Sequence, residues 1–385
     1  MANPIGMVSR GLASTAGLVL GSILAACSSG GIGAGAPATN DAIDGAAGSL
    51  DDATGISDDA SGSTSPPDSS IAADSTDPFG AGVSQAADAG VVTAGSAAKL
   101  GPYTVQTYTL AQSLIPSGST FCCDTKTAPI SPQGSTPRAV PEIFYPANGP
   151  GNYPGIVFIP GDDSDFASDP WTGTGVNGAT SVLSNIPDWG RFLASHGFVV
   201  MMTDPVTYGA SAMQRSTALL QAISVLASEN TRSGSPLSGM LNSKNLAVLG
   251  HSYGAAGALY AAGGTDARIK AALGLSPVGS SPYFTGDQVP SGIICAQNDP
   301  YMSDSGYQSE YASIPAAHKF IAQFLFNKQL DSGHSIGLNP LGSHTTDPYV
   351  ARYGLSFFEV YLMGDQRYEP FLVTNSLMDS FRYSP

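Results

Sequence analysis

The sequence predicts an α/β fold: a mainly parallel central sheet, covered by helices on both faces, with no separate cap domain. Three observations carry this expectation. Short apolar runs such as Ile156-Val157-Phe158-Ile159 and Phe198-Val199-Val200-Met201-Met202 are bounded by breakers, as strands buried on both faces are. Segments with helical spacing of apolar residues alternate with those runs, the pattern of parallel strand–helix units. One run, Leu246-Ala247-Val248-Leu249, leads directly into Gly250-His251-Ser252-Tyr253-Gly254 and then into an Ala-rich helical stretch.

The expected elements follow in order. Residues 103–110 alternate like a half-buried strand, and 138–145 read as a second. Residues 155–161 form a buried strand, 189–196 a helix, 198–203 another buried strand, and 214–229 a helix. Residues 245–249 form the strand before the glycine turn, and the following helix runs through Ala262. Residues 269–275, 291–296 and 319–326 supply three more strands, and 348–363 a closing helix. In such sheets ligands sit at the carboxyl ends of the strands.

Only the part from residue 99 onward has the composition for this fold. Residues 1–27 read as an export signal. Arg10 gives a weak positive start, residues 12–24 are apolar and small, and the segment ends Leu24-Ala25-Ala26-Cys27. That apolar run is too short to span a hydrocarbon core of about 30 Å, so a cleaved signal is expected, with Cys27 as the lipidated residue. The alternative is an ordinary secretory signal with a chance cysteine. Residues 28–98 carry ten aspartates, no Lys or Arg, and Phe79 as sole aromatic residue. They cannot bury enough apolar surface to offset ordering entropy, so a disordered tether is expected. The localisation implied is an exported, membrane-anchored cell-envelope lipoprotein or an extracellular protein.

The net charge of −15 is therefore uneven, leaving about −6 on residues 99–385. That mild acidity argues against nucleic acid, since phosphate binding needs a basic patch. The 287 residues from 99 onward suffice for one large domain, expected to be monomeric. Besides Cys27 the cysteines are Cys122, Cys123 and Cys295. Export permits disulfides, a bond from Cys295 to one of the adjacent pair is one option, and at least one thiol stays unpaired unless it bonds another chain.

Gly250-x-Ser252-x-Gly254 fits a nucleophile elbow, the sharp strand–helix turn of the α/β-hydrolase fold. Alone the pattern is short. The strand before it and the helix after it supply the context it requires, so Ser252 is the candidate nucleophile, set against a glycine-rich junction with no chemistry. A serine needs a base and the base an orienting acid, in chain order Ser, Asp or Glu, then His. Three histidines follow Ser252. His334 lies in a glycine-containing loop just after a strand and is the candidate base. His344 is its rival, and His318, at the entrance to a strand, reads as structural. His196 and His251 also read as structural. Asp299, in Gln297-Asn298-Asp299-Pro300 at a strand's carboxyl end, is the candidate acid, with Asp304 the alternative. Asp331 reads as shaping the histidine loop. The oxyanion donors expected are the backbone N–H groups of Tyr253 and Asp162. Asp162, Asp163, Asp165 and Asp169 cluster in one loop. Clustered carboxylates suit Ca²⁺, but a solvated polar loop is the preferred reading, and neither metal nor cofactor is expected.

Several segments together resemble a known family. Residues 156–161, Asp188-Trp189-Gly190-Arg191-Phe192-Leu193-Ala194-Ser195-His196-Gly197-Phe198-Val199-Val200, the elbow, Gln297-Asn298-Asp299, Gly333-His334-Ser335 and Gly364-Asp365-Gln366-Arg367-Tyr368 resemble, in the family's order, the bacterial cutinases and poly(ethylene terephthalate) hydrolases. The resemblance implies an α/β-hydrolase fold, Ser252, Asp299 and His334 as triad, and an ester substrate, polyester or lipid. The chain departs from the family at three cleft positions. The family usually has an aromatic residue where Asp162 stands, Met where Tyr253 stands, and Trp after proline where Val278 stands. Offset stacking on an aromatic ring is worth about 0.5–1.5 kcal/mol per pair, so weaker preference for terephthalate-like acyl groups is implied. The expected activity is serine-dependent ester hydrolysis. The alternatives are a lipase or acyltransferase acting on membrane-proximal lipids, and a non-catalytic surface-binding lipoprotein.

Overall fold

A computed structural model describes residues 92–121, 141–161, 187–203, 210–279, 284–325, 333–342 and 345–385. All fall within one compact unit, residues 75–385. The signal, Cys27, Cys122, Cys123, Asp162 with the rest of its acidic loop, Asp331 and His344 lie outside the described residues, as does the tether as far as residue 91.

The described strands are β1 (Val105–Thr109), β2 (Glu142–Pro146), β3 (Tyr153–Ile159), β4 (Val199–Met202), β5 (Leu241–His251), β6 (Ile269–Leu275), β7 (Ser291–Ala296), β8 (Lys319–Phe324) and β9 (Met378–Ser384). They form one sheet in the order β1-β2-β4-β3-β5-β6-β7-β8-β9. The stretch from β4 to β8 is parallel throughout. Only the margins are antiparallel, at β1–β2, β2–β4 and β8–β9. This is the open, mainly parallel sheet expected, and no closed barrel forms.

The helices are α1 (Pro187–Ser195), α2 (Ala212–Glu229), α3 (Tyr253–Ala262), α4 (Asp304–Ser313) and α5 (Asp347–Phe358). The sheet divides the core into two layers because successive side chains leave a strand on opposite faces. Val157 and Ile159 of β3 join Leu219, Ile223 and Leu259 on one face. Ile156 and Phe158 join Trp189, Phe192, Tyr353 and Phe357 on the other. The central strands are buried on both faces, which explains why they read as unbroken apolar runs.

Helix α2 begins where the sequence supplies a cap. The Ser211 hydroxyl accepts from the Gln214 N–H, and the Gln214 side chain accepts from the Ser211 N–H. The Trp189 indole N–H donates to the Gly337 carbonyl, pinning α1 to the loop beyond His334. Ala97 is buried in the second layer, on the N-terminal side of the domain start expected at residue 99. Cys295 is buried and its thiol is free, whereas Cys122 and Cys123, its considered partners, lie outside the described residues. The expected closing helix ends as an α-helix at Phe358 and continues over Glu359–Met363 as a π turn. Among the described strands and α-helices, α4 and β9 were not expected.

Candidate active site

Ser252 stands between β5 and α3 in a conformation few residues adopt, with φ 57° and ψ −126°. Its N–H donates to the Leu275 carbonyl at 2.9 Å, and its carbonyl accepts from Ala256 and Val278. The glycines of the motif are dictated by contact. A Cβ on Gly250 would fall 2.2 Å from the Gly254 carbonyl oxygen, and one on Gly254 would fall 2.3 Å from the Ile159 oxygen. Across the cleft, Gly161 passes so close that its Cβ would lie 2.4 Å from the Ser252 Cβ.

His334 reaches Ser252 from a one-turn 3-10 helix, Gly333–Ser335. Its Nε2 is 2.9 Å from the Ser252 Oγ, and its Nδ1 is 2.7 Å from the Asp299 Oδ2. All three residues are at most 8% exposed. A carboxylate can only accept, so the imidazole proton sits on Nδ1 and leaves the Nε2 lone pair facing the serine hydroxyl. Asp299 follows β7 through Asn298, which takes the left-handed conformation at φ 54°. Gly333 lets the two loops approach, since a Cβ there would meet the Gln297 and Asn298 carbonyls at about 3 Å.

Burial alone would raise the Asp299 carboxyl, but hydrogen bonds from His334 and Tyr307 outweigh it and hold it below the usual carboxylate range. The Tyr307 hydroxyl donates to the same Oδ2 that His334 uses, and the Tyr301 N–H donates to Oδ1 at 2.8 Å. Sequence reasoning missed both tyrosines. Tyr307 sits on α4, whose Tyr307, Glu310 and Tyr311 share one buried face. The spacing is helical, but a buried glutamate breaks the apolar stripe that signals a helix. Tyr301 is 67% exposed as a residue, and its ring stands edge-on to His334 with centroids 4.5 Å apart.

The other histidines separate cleanly. His251 is buried, its Nε2 lies 2.9 Å from the His334 carbonyl, and its ring is 4.9 Å from the His334 ring. Only a protonated Nε2 can bond a carbonyl. Burial keeps this imidazole neutral, pushing its pKa down to about 3. His251 thus supports the backbone of the loop that presents His334. His196 is likewise lowered by burial, to about 4, and its Nε2 bonds the Lys99 carbonyl. His318 is exposed and packs against Tyr361 at the start of β8. Asp304 is exposed in the first turn of α4, so it is not the carboxylate on His334.

Tyr253 opens α3 and carries one of the N–H groups a helix leaves without an internal partner. Its side chain and Val278 line a groove of about 610 Å³ beside the elbow, together with Met213, Leu259, Tyr260 and Phe284. Glu310 fixes one wall by accepting the Gly279 N–H at 3.0 Å. Burial raises this carboxyl to about 8. A buried acid whose folded pKa is raised contributes fully below its unfolded value, and that contribution is lost as pH rises through the folded one. Glu310→Gln keeps the acceptor and removes the ionisation. The variant is expected to lose less stability than the wild type between pH 5 and 8 in urea unfolding, and identical pH slopes would refute this.

The fold and the site together define the class: an α/β-hydrolase with its serine, histidine and aspartate joined at the carboxyl edge of a parallel sheet. A family description, "PETase: PET hydrolase-like", matches residues 174–384, and the chain belongs to that family. The chain is 26% identical over 232 residues to a bis(hydroxyethyl) terephthalate hydrolase of Streptomyces coelicolor, covering 60% of this chain and 64% of that one. It is 27% identical to cutinase 1 of Thermobifida cellulosilytica, over 51% of this chain and 70% of the relative. Cutinase est2 of Thermobifida alba is 29% identical over 51% of this chain and 61% of its own length. The chain thus spans less than two thirds of the length of the first of these relatives.

Proposed function

We propose that the protein is a carboxylic ester hydrolase of the cutinase and polyesterase kind, working through an acyl-enzyme on Ser252. The observation that carries this reading is the unbroken chain from the Ser252 Oγ through His334 to Asp299, at 2.9 and 2.7 Å. Family membership and the names of the relatives support it. Ser252 attacks the ester carbonyl while its hydroxyl proton passes to the His334 Nε2. The carbonyl oxygen gains negative charge, held by the N–H groups of Tyr253 and Asp162. The bond to the alcohol oxygen breaks, His334 returns the proton to the departing alcohol, and the acyl group stays on Ser252. Water, deprotonated by His334, then releases the acid. Asp299 holds the imidazole in the required tautomer and stabilises its cation.

Tyr253 and Val278 form the acyl-side wall in this reading. A valine there offers no ring face for stacking, which supports a preference for aliphatic over terephthalate-like acyl groups. The Leu24-Ala25-Ala26-Cys27 signal supports export with lipid anchoring at Cys27, placing ester substrates at the cell envelope or outside it.

The test is turnover of p-nitrophenyl esters of increasing acyl length by the wild type and Ser252→Ala. Turnover in the wild type should favour short chains and vanish in Ser252→Ala without loss of folding. Retained turnover in the variant sinks the assignment, and a preference for long chains points to a lipase.

A further inference from the structure

Arg215 lies in the first turn of α2, an unfavourable place for a cation because a helix N-terminus is itself positive. Its side chain is 1% exposed, one of the largest fully buried in the protein. Burying a guanidinium is costly unless its donors are satisfied. Here Nε donates to the Ala210 carbonyl at 2.9 Å and Nη1 donates to the Pro160 carbonyl at 2.8 Å. The fork therefore joins the entry of α2 to the main chain leaving β3.

That main chain faces the site. Pro160 precedes Gly161, which approaches Ser252 closely enough to exclude a methyl group. The Pro160 carbonyl also abuts Gly254 of the elbow, where an added Cβ would fall 2.4 Å from its oxygen. On the other side, Gly257 of α3 lets the stem of Arg215 approach, since a Cβ there would fall 2.8 Å from the Arg215 Cβ. Arg215 is wedged between α2 and α3, beneath the end of β3, with one donor on the peptide that passes over the serine.

We propose that Arg215 is a positioning residue that sets the Pro160–Gly161 peptide against Ser252, and with it the point from which the chain enters the residues expected to supply an oxyanion donor. This rests on the assignment of Ser252 as nucleophile. A peptide plane is rigid, so holding its carbonyl at Arg215 fixes the direction of the Gly161 N–H. The effect belongs to the transition state, because the oxyanion forms only there. It should therefore appear in kcat and not in KM.

The experiment uses the full chain with Arg215→Met, Arg215→Lys and Ser252→Ala, read by kcat and KM on a short p-nitrophenyl ester, inhibition by phenylboronic acid, and thermal unfolding. A boronate forms a tetrahedral adduct on the serine and reports transition-state complementarity. Arg215→Met should lower kcat roughly 10- to 100-fold, leave KM within about twofold, and weaken boronate inhibition by the same factor as kcat. Arg215→Lys keeps the charge and one donor but not the fork, so kcat should fall by about tenfold, less than in Arg215→Met. Boronate affinity and kcat unchanged in a folded Arg215→Met overturn the proposal, as does a loss confined to KM or to melting temperature. Where Arg215→Met does not fold, wild-type kcat in Arg215→Lys overturns it. Retained turnover in Ser252→Ala removes the nucleophile assignment and this proposal with it, whereas serine-dependent turnover indifferent to Arg215 removes this proposal alone.

Discussion

Asp299→Asn is expected to lower kcat by about 10⁴-fold while leaving the protein folded and KM little changed. The carboxylate accepts from the His334 Nδ1, the Tyr307 hydroxyl and the Tyr301 N–H. An amide in its place can turn an NH₂ toward Nδ1. The imidazole proton would then move to Nε2, and His334 could no longer accept the proton of Ser252. Turnover of a short ester at pH 7 is the measurement, and a loss under about tenfold would remove Asp299 as the orienting acid. Stability adds an independent check. The folded carboxyl is held below its ordinary value, so its contribution is present above the unfolded pKa and is lost as pH falls through the folded one. Wild type should therefore lose stability on acidification below about pH 4 more steeply than Asp299→Asn.

Gly254→Ala should destabilise the protein by about 1–3 kcal/mol and lower activity in the molecules that remain folded. The added methyl would meet the Ile159 and Pro160 carbonyl oxygens at 2.3 and 2.4 Å. Both belong to main chain at the end of β3, so neither can swing aside as a flexible side chain would. Relief requires α3 to move away from β3, which carries Ser252 away from His334 and Gly161. The melting temperature and kcat should fall together. A variant with wild-type melting and activity would show that the elbow tolerates a side chain and that Gly254 is not required for close approach.

The two results test different depths of sequence reading. Strand–helix alternation was legible because burial on both faces writes itself into uninterrupted apolar runs, as in Val199–Met202. The elbow was legible because close backbone approach admits little but glycine at Gly250 and Gly254. Helix α4 left a weaker trace, since Glu310 occupies a buried position on its inner face. Strand β9 carries only Phe381 and Tyr383 in alternation, and its partner β8 is already complete without it as a sequence pattern.

The sequence by itself determined the α/β architecture, the serine at the turn, and a short set of histidines and aspartates in the right order. Those features are local: periodicity, breakers and turn chemistry act within a few residues. Only the tertiary structure decided which of them meet. His334 lies 82 residues from Ser252 and 35 from Asp299 along the chain, and no periodicity encodes a contact at that separation. The same holds for the support around them: Tyr307 on Asp299, His251 on the His334 carbonyl, and Arg215 on the Pro160 carbonyl. Each is a buried donor satisfied by an acceptor from another element, a match the packed fold supplies by bringing the ends of β3, β5, β7 and β8 to one edge of the sheet.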